Sequence, residues 1–291
     1  MASVDAKLRS QFNKERWWIA AVAVICVVMY VPTFRYLWGK WMEDTQYSLA
    51  FLVPFVSGYF IWKKWPEVVR LQRSPAGLGL VLVALALLMH LAGVILDVSG
   101  PSGVSIIVLL VGGCLYFHGK ELVKVLAFPL AYTMFMIPLP GGILDRVGLP
   151  MQILASKSTA ALLNLMGLDV TRTGIQLSVD GYHFEVAPAC SGMSSLVALV
   201  GVTAVFAYIT SLPAKYKWTL FCLSAPIALV ANIVRITSIA LVGYFWDWDK
   251  AMHVYHNWSS PILFLVAIIE LFIINWGFEW LSARRTTSPS S

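Results

Sequence analysis

Apolar residues fall in long runs along the chain, near 17–38, 47–62, 77–96, 102–118, 122–138, 191–210, 217–245 and 258–281. A helix needs about 20 apolar residues to cross a hydrocarbon core, and shorter runs cross where other helices pack around them. The pattern therefore predicts an all-α polytopic membrane protein with about eight transmembrane helices. Between the fifth and sixth runs the periodicity changes. Met151, Leu154, Ala155, Leu162, Leu165 and Met166 recur at helical spacing and predict an interfacial or partly buried helix near 151–167. Next, in "GIQLSVDGYHFEV", Ile175, Leu177 and Val179 alternate, Asp180-Gly181 supplies a two-residue turn, and Tyr182, Phe184 and Val186 alternate back. This is a β-hairpin signal, with all six apolar side chains on one face and Gln176, Ser178, His183 and Glu185 on the other.

Charge sets the orientation. With a cytoplasmic N-terminus, the cytoplasmic connections collect Lys7, Arg9, Lys14, Arg16, Lys63, Lys64, Arg70, Arg73, Lys120, Lys124, Lys215, Lys217, Arg284 and Arg285, which is 14 of the 21 basic residues. The positive-inside bias then puts both termini in the cytoplasm and the long connection, Pro138 to Ala189, on the exterior (periplasmic) side of the inner membrane. The net charge of +6 is a topology signal and does not point to nucleic acid. The domain reading is a cytoplasmic segment 1–16, one integral-membrane domain 17–281 and a cytoplasmic tail 282–291. No small-residue cleavage site follows the first apolar run, so that run is expected to be a retained helix. Composition agrees with the membrane assignment: 59% hydrophobic, 12% charged, mean hydropathy +0.76. The four cysteines, Cys26, Cys114, Cys190 and Cys222, have no CxxC spacing, so neither a structural metal site nor a disulfide framework is expected. No cofactor is predicted.

Three residues carry candidate chemistry. Cys190, in "PACSG", stands where the hairpin runs into the sixth helix. The unpaired N–H groups of a helix's first turn favour a thiolate there, and thiolate is the reactive form. Buried cysteine is also common as inert filler. Arg235 lies well inside the seventh run, with Asn232 and Ser238 three residues to either side on one polar stripe. An arginine at that depth is costly, so it is expected to face the bundle interior or to snorkel outward. His253 and His256, in "KAMHVYHNWSSPILF", enter the eighth helix from the same side as Cys190. Thiol, guanidinium and imidazole near one level suit thiol acyl transfer, with imidazole moving the proton and arginine holding the carbonyl or oxyanion. His183 and His253 are alternative bases. Glu270, near the centre of the eighth run, is expected to be protonated, paired or part of a lateral groove.

The pieces "EVAPACSGMSSL", "ANIVRITSIALVGYF" and "HNWSSPILF", with "FPLAYTMFMIPLPGGILDRVGLPMQILAS" upstream, resemble the exosortase and archaeosortase family of membrane cysteine transpeptidases over about Phe128 to Phe264. The resemblance implies a catalytic set of Cys190, Arg235 and His256, and Ser191, Asn232 and Ser238 are the accompanying candidates for contacting substrate. It also implies partners: exported proteins that end in a short signature, one transmembrane helix and a basic cluster, together with membrane lipid and a polysaccharide or lipid-linked acceptor. Two positions depart from the family pattern. Pro188 stands where many relatives have an acidic residue, and "QYSLAFLVP" lacks a His-Gly after Tyr-Ser. The competing readings are a transporter, in which Arg235 binds an anion and Glu270 relays protons, and a noncatalytic assembly factor for export.

Overall fold

In the computed structural model the described residues are 24–44, 47, 49–138, 141–186, 193–252 and 256–286; the side chains of 141–145, 256, 257, 259–261, 263, 281 and 283–286 fall outside the description. The chain divides into two compact units: one up to Lys40 together with Arg70–Lys124, the other Trp41–Val69 together with the chain from Val125 onward.

The first unit contains α1 (24–43, as far as Lys40), α3 (Leu78–Ile95) and α4 (Ser99–His118). Both α3 and α4 are long and apolar enough to cross a membrane. Small residues let their backbones approach. A Cβ on Gly79 would overlap the backbone of Tyr116, and one on Gly112 would sit 2.9 Å from the Val83 nitrogen. Close approach through glycine is how apolar helices gain contact where lipid removes the hydrophobic drive between them.

Buried against this pair is a closed polar network. His90 Nε2 lies 2.9 Å from the Met29 carbonyl, an acceptor, so Nε2 carries the proton and Nδ1 accepts from Ser102 Oγ at 2.7 Å. Ser102 Oγ in turn accepts from Thr33 Oγ1 at 2.6 Å. Ser105 donates to the Ser102 carbonyl, which leaves Ser105 Oγ to accept from the Tyr30 hydroxyl at 2.8 Å. Tyr30 also stacks on the imidazole, with centroids 4.0 Å apart.

The second unit begins with a 3₁₀ turn, Ala50–Leu52, and α2 (Val53–Arg70). The second apolar run was expected to end near 62, yet the helix continues through Lys63 and Lys64 to Arg70. Charged side chains mark where a helix leaves the hydrocarbon and do not break its hydrogen bonding. The fifth run, expected as one helix near 122–138, is three pieces: α5 (Lys120–Val125, of which Val125 belongs to this unit), α6 (Ala127–Tyr132) and a 3₁₀ turn, Thr133–Met136. Pro129 accounts for the break, because its ring clashes with the carbonyl four residues back, that of Val125, and it has no N–H to donate. Phe128 of α6 stacks on Tyr208 at 3.8 Å, and Phe60 of α2 meets both rings edge-on.

The helix expected near 151–167 is longer, α7 (Gly141–Leu165), and its buried face is not the apolar one. Ser156, Thr159 and Leu163 are fully buried, whereas Leu154, Leu162 and Met166 are exposed. After α7 the chain forms a three-stranded antiparallel meander, β1 (Val170–Thr173), β2 (Gln176–Val179) and β3 (Tyr182–Glu185). The β2–β3 hairpin has the expected register, Leu177 opposite Phe184 and Val179 opposite Tyr182. Its turn holds Asp180 at φ 50° and Gly181 at φ 80°, the paired positive values that a type I′ turn requires. β1 was not anticipated. The Asn164 side chain fixes its start, exchanging two hydrogen bonds with the backbone of Val170 at 3.0 and 3.1 Å.

The remaining elements are α8 (Met193–Ile209), α9 (Ala214–Phe245), a short turn α10 (Trp248–Lys250) and α11 (His256–Thr286). By length and composition α9 qualifies as a membrane span, and α8 is a shorter apolar helix. Two cores flank α9. Ile236 and Ala240 pack with Leu163, Leu177, Val179 and Val186 of α7 and the sheet. On its other side Ala228 packs with Leu199 of α8 and with Ala267 and Leu271 of α11. Trp248 joins the sheet to the end of α9. It stacks on Tyr182 at 4.1 Å and lies directly over Gly243.

Candidate active site

Arg235 is 6% exposed and Asn232 3% exposed, so α9 turns this polar stripe into the protein, away from lipid and headgroups. Neither side chain is without a partner. Both line a pocket with Ser195 and Leu199 of α8, Ala228 and Ala231 of α9, and Phe264 and Ala267 of α11. Its free volume is about 10 Å³, on the order of one water molecule or one carbonyl oxygen. The small side chains at 228, 231 and 267 leave this space, and the one-turn spacing of Asn232 and Arg235 points both at it.

The pocket draws on α8, α9 and α11. Cys190 and Ser191 lie outside the described residues, as does His253, and α8 is described from Met193, three residues after Cys190. Ser195 of the pocket follows Cys190 by five residues. The backbone of His256 opens α11. Phe264 and Ala267 stand eight and eleven residues further along, about 12 and 17 Å at 1.5 Å per residue. Arg235 is thus part of a floor set below the start of α11. Ser238 does not line the pocket, and its hydroxyl donates to the Arg235 carbonyl at 2.8 Å. His183 is on the exposed face of β3, opposite Ser178.

The meander delivers the chain toward Cys190. Pairing continues past β3, with the Val186 N–H donating to the Ile175 carbonyl at 3.0 Å, and Val186 is 1% exposed. The last described residue before Cys190 is therefore anchored in the core beneath the sheet.

The family model for transmembrane exosortase matches residues 41–273. The chain belongs to the transmembrane exosortase family. The match takes in α2 and the first unit's α3 and α4, and so extends well before Phe128, where the motif resemblance begins. It includes every residue that lines the pocket. Exosortases are membrane proteins, in general membrane cysteine transpeptidases with a sorting function. No curated protein and no solved structure matches the chain.

Sequence reasoning singled out Arg235 and Asn232, and carried Phe264 as the last residue of the motif HNWSSPILF, but missed Ser195, Leu199, Ala228, Ala231 and Ala267. Ala231 and Ala267 could have been noticed as small residues beside a polar stripe. Ser195 carried no signal separable from ordinary core. Among the described residues no group of three or more His, Cys, Asp or Glu side chains is arranged to hold a metal ion.

Proposed function

We propose that this exosortase is a cysteine transpeptidase that cleaves the C-terminal sorting region of exported proteins on the exterior face of the inner membrane and passes the new carboxyl end to an acceptor at the cell surface. The observation that carries the proposal is the buried pair Arg235 and Asn232, facing a space the size of a carbonyl oxygen on the helices that follow Cys190 and begin at His256. The Cys190 thiolate attacks the scissile carbonyl. Electrons move to the carbonyl oxygen, which Arg235 and Asn232 stabilise as negative charge develops. On collapse the C–N bond breaks, His256 gives its proton to the departing amine, and a thioester joins the substrate to Cys190. An amine or water then attacks the thioester, passes its proton back to His256 and releases the thiolate. Ser191 contacts substrate beside Cys190. The topology is eight membrane crossings with both termini cytoplasmic, which leaves the substrate's basic cluster on the inner side.

The test is capture of the acyl-enzyme. Full-length chain, co-expressed with a candidate exported protein, is quenched with acid and analysed by mass spectrometry. A substrate fragment attached to Cys190 through a hydroxylamine-sensitive bond is expected, and it is absent in Cys190→Ala. A Cys190→Ser chain that still binds substrate without processing it separates an enzyme from a scaffold. Processing that continues at the normal rate in Cys190→Ala would show that the thiol is not the nucleophile.

A further inference from the structure

Gln152, in the stretch "GLPMQILAS", is 5% exposed and belongs to the inward stripe of α7 together with Gly148, Ser156 and Thr159. A glutamine amide carries two N–H donors and one carbonyl acceptor, and in a protein interior such groups are matched. Ser156, one turn along, is matched: its hydroxyl donates to the Gly174 carbonyl at 3.2 Å. Among the described residues none is hydrogen-bonded to the Gln152 amide. Nor is that amide sealed in, as the Thr159 hydroxyl is, so the exposure Gln152 retains includes its polar end. It is not part of the Arg235 pocket. An apolar side chain would fill the place at lower cost, so the amide calls for a functional account.

Contacts on either side locate it. One turn before Gln152, a Cβ on Gly148 would lie 3.6 Å from Cγ of Met193, the first described residue of α8. One turn after it, Ser156 holds the Gly174 carbonyl, and the neighbouring Ile175 carbonyl accepts from the Val186 N–H at 3.0 Å. Val186 and Met193 are the described residues that flank Cys190, four before it and three after. Both are held against α7, with Gln152 between their anchor points and about 6 Å along the helix from each. Long side chains on a helix lean back over the preceding turn. Here that turn is Gly148, which has no side chain to meet, so the amide is directed toward the start of α8.

We propose that Gln152 is a substrate-contacting residue whose amide pairs with the backbone N–H and C=O of one extended residue next to the bond that Cys190 attacks, Oε1 accepting from the N–H and Nε2 donating to the carbonyl. The assignment rests on reading Cys190 as a nucleophile toward a polypeptide. Complementarity selects this ligand. In an extended chain the N–H and C=O of a residue point to the same side, as they do in a hydrogen-bonded strand pair. A planar group with a donor and an acceptor side by side matches that edge. A lipid ester or a small anion offers acceptors alone. The contact positions backbone irrespective of side chain, a different task from that of Arg235 and Asn232, which face a carbonyl oxygen from the pocket.

The experiment alkylates full-length chain in lipid nanodiscs with two reagents: iodoacetyl-glycine N-methylamide, and its ester counterpart in which an oxygen replaces the glycine N–H. The Cys190 thiolate displaces iodide as the C–S bond forms, and the mass of the Cys190 fragment gives the rate. Dividing each rate by that toward glutathione removes the intrinsic difference between the reagents. The amide reagent is expected to be favoured roughly two- to twelve-fold, the worth of one neutral hydrogen bond. Gln152→Met, apolar and of similar length, should erase that preference, and without ligand it should unfold no earlier than the parent, since only an unpaired amide is lost. Gln152→Glu keeps an acceptor and loses the N–H donors, so it should slow both reagents and retain the preference. Equal rates for the two reagents on the parent chain overturn the proposal, as does a preference that survives in Gln152→Met. Earlier unfolding of Gln152→Met with the preference unchanged would make the amide a structural group satisfied by water. Thioester capture with a co-expressed exported protein reports separately. A Gln152-dependent preference in a chain that forms no Cys190 thioester would remove the enzymatic reading alone, and a thioester forming at the parent rate in Gln152→Met would remove the amide contact alone.

Discussion

Both units carry polar side chains among apolar helices, and they dispose of them in opposite ways. Around α3 and α4 the polar atoms turn on one another: Thr33, Ser102 and His90 form a relay that ends on the Met29 carbonyl, and Tyr30 and Ser105 complete it. The imidazole and the Ser102, Ser105, Thr33 and Tyr30 hydroxyls are all matched to partners within the network. Around α9 the polar stripe of Asn232 and Arg235 instead borders an opening, kept by alanines at 228, 231 and 267. A polar group inside a membrane protein is costly in either case, and the second arrangement leaves room for an atom from outside. The difference teaches how to separate helix glue from machinery. The distinguishing feature is whether small side chains hold open a volume next to the polar group, since burial is common to both.

Substitutions break the comparison in graded fashion. Arg235→Met should slow acyl-enzyme formation by about 10²- to 10³-fold, the range seen when one oxyanion donor is removed, with the chain still folded; rapid-quench capture of the Cys190 adduct measures it. His90→Leu should do the reverse. Losing the imidazole strands Ser102 and the Met29 carbonyl and should lower stability by about 1–3 kcal/mol, visible as earlier thermal unfolding, while adduct formation per folded molecule stays at its normal rate. A His90 variant that unfolds normally yet loses activity would make the two networks alike in kind. The smallest effect is expected at the hairpin. Gly181→Ala places a Cβ at φ 80° and should cost about 1 kcal/mol, read as faster amide exchange in β2 and β3.

What could be read in advance follows from which physical rule dominates locally. The β2–β3 hairpin was readable to the register, because alternation and an Asp-Gly turn are short-range signals that tertiary packing did not override. β1 was not, since only Val170 of its four residues is buried and no alternation exists to detect. The break at Leu126 was available in Pro129 and was overlooked inside an apolar run. α7 was read from its second part only, near 151–167 against Gly141–Leu165, and its apolar periodicity located a face without saying whether that face points in. Arg235 stood out for the opposite reason: a cation deep in an apolar helix has few explanations. The pocket beside it did not stand out, since a space kept by three alanines on two helices exists only after the helices pack.

The ring of Trp248 occupies the position into which any side chain at residue 243 would project, and it is simultaneously stacked on Tyr182. Positions 243 and 248 are therefore sterically exclusive. Across related chains, a larger residue at the first should travel with a smaller one at the second, and where that trade occurs the hairpin must find a different support. The same exclusion ties the approach to Cys190 and the approach to His256 to one aromatic side chain, so neither segment can drift in sequence without the other.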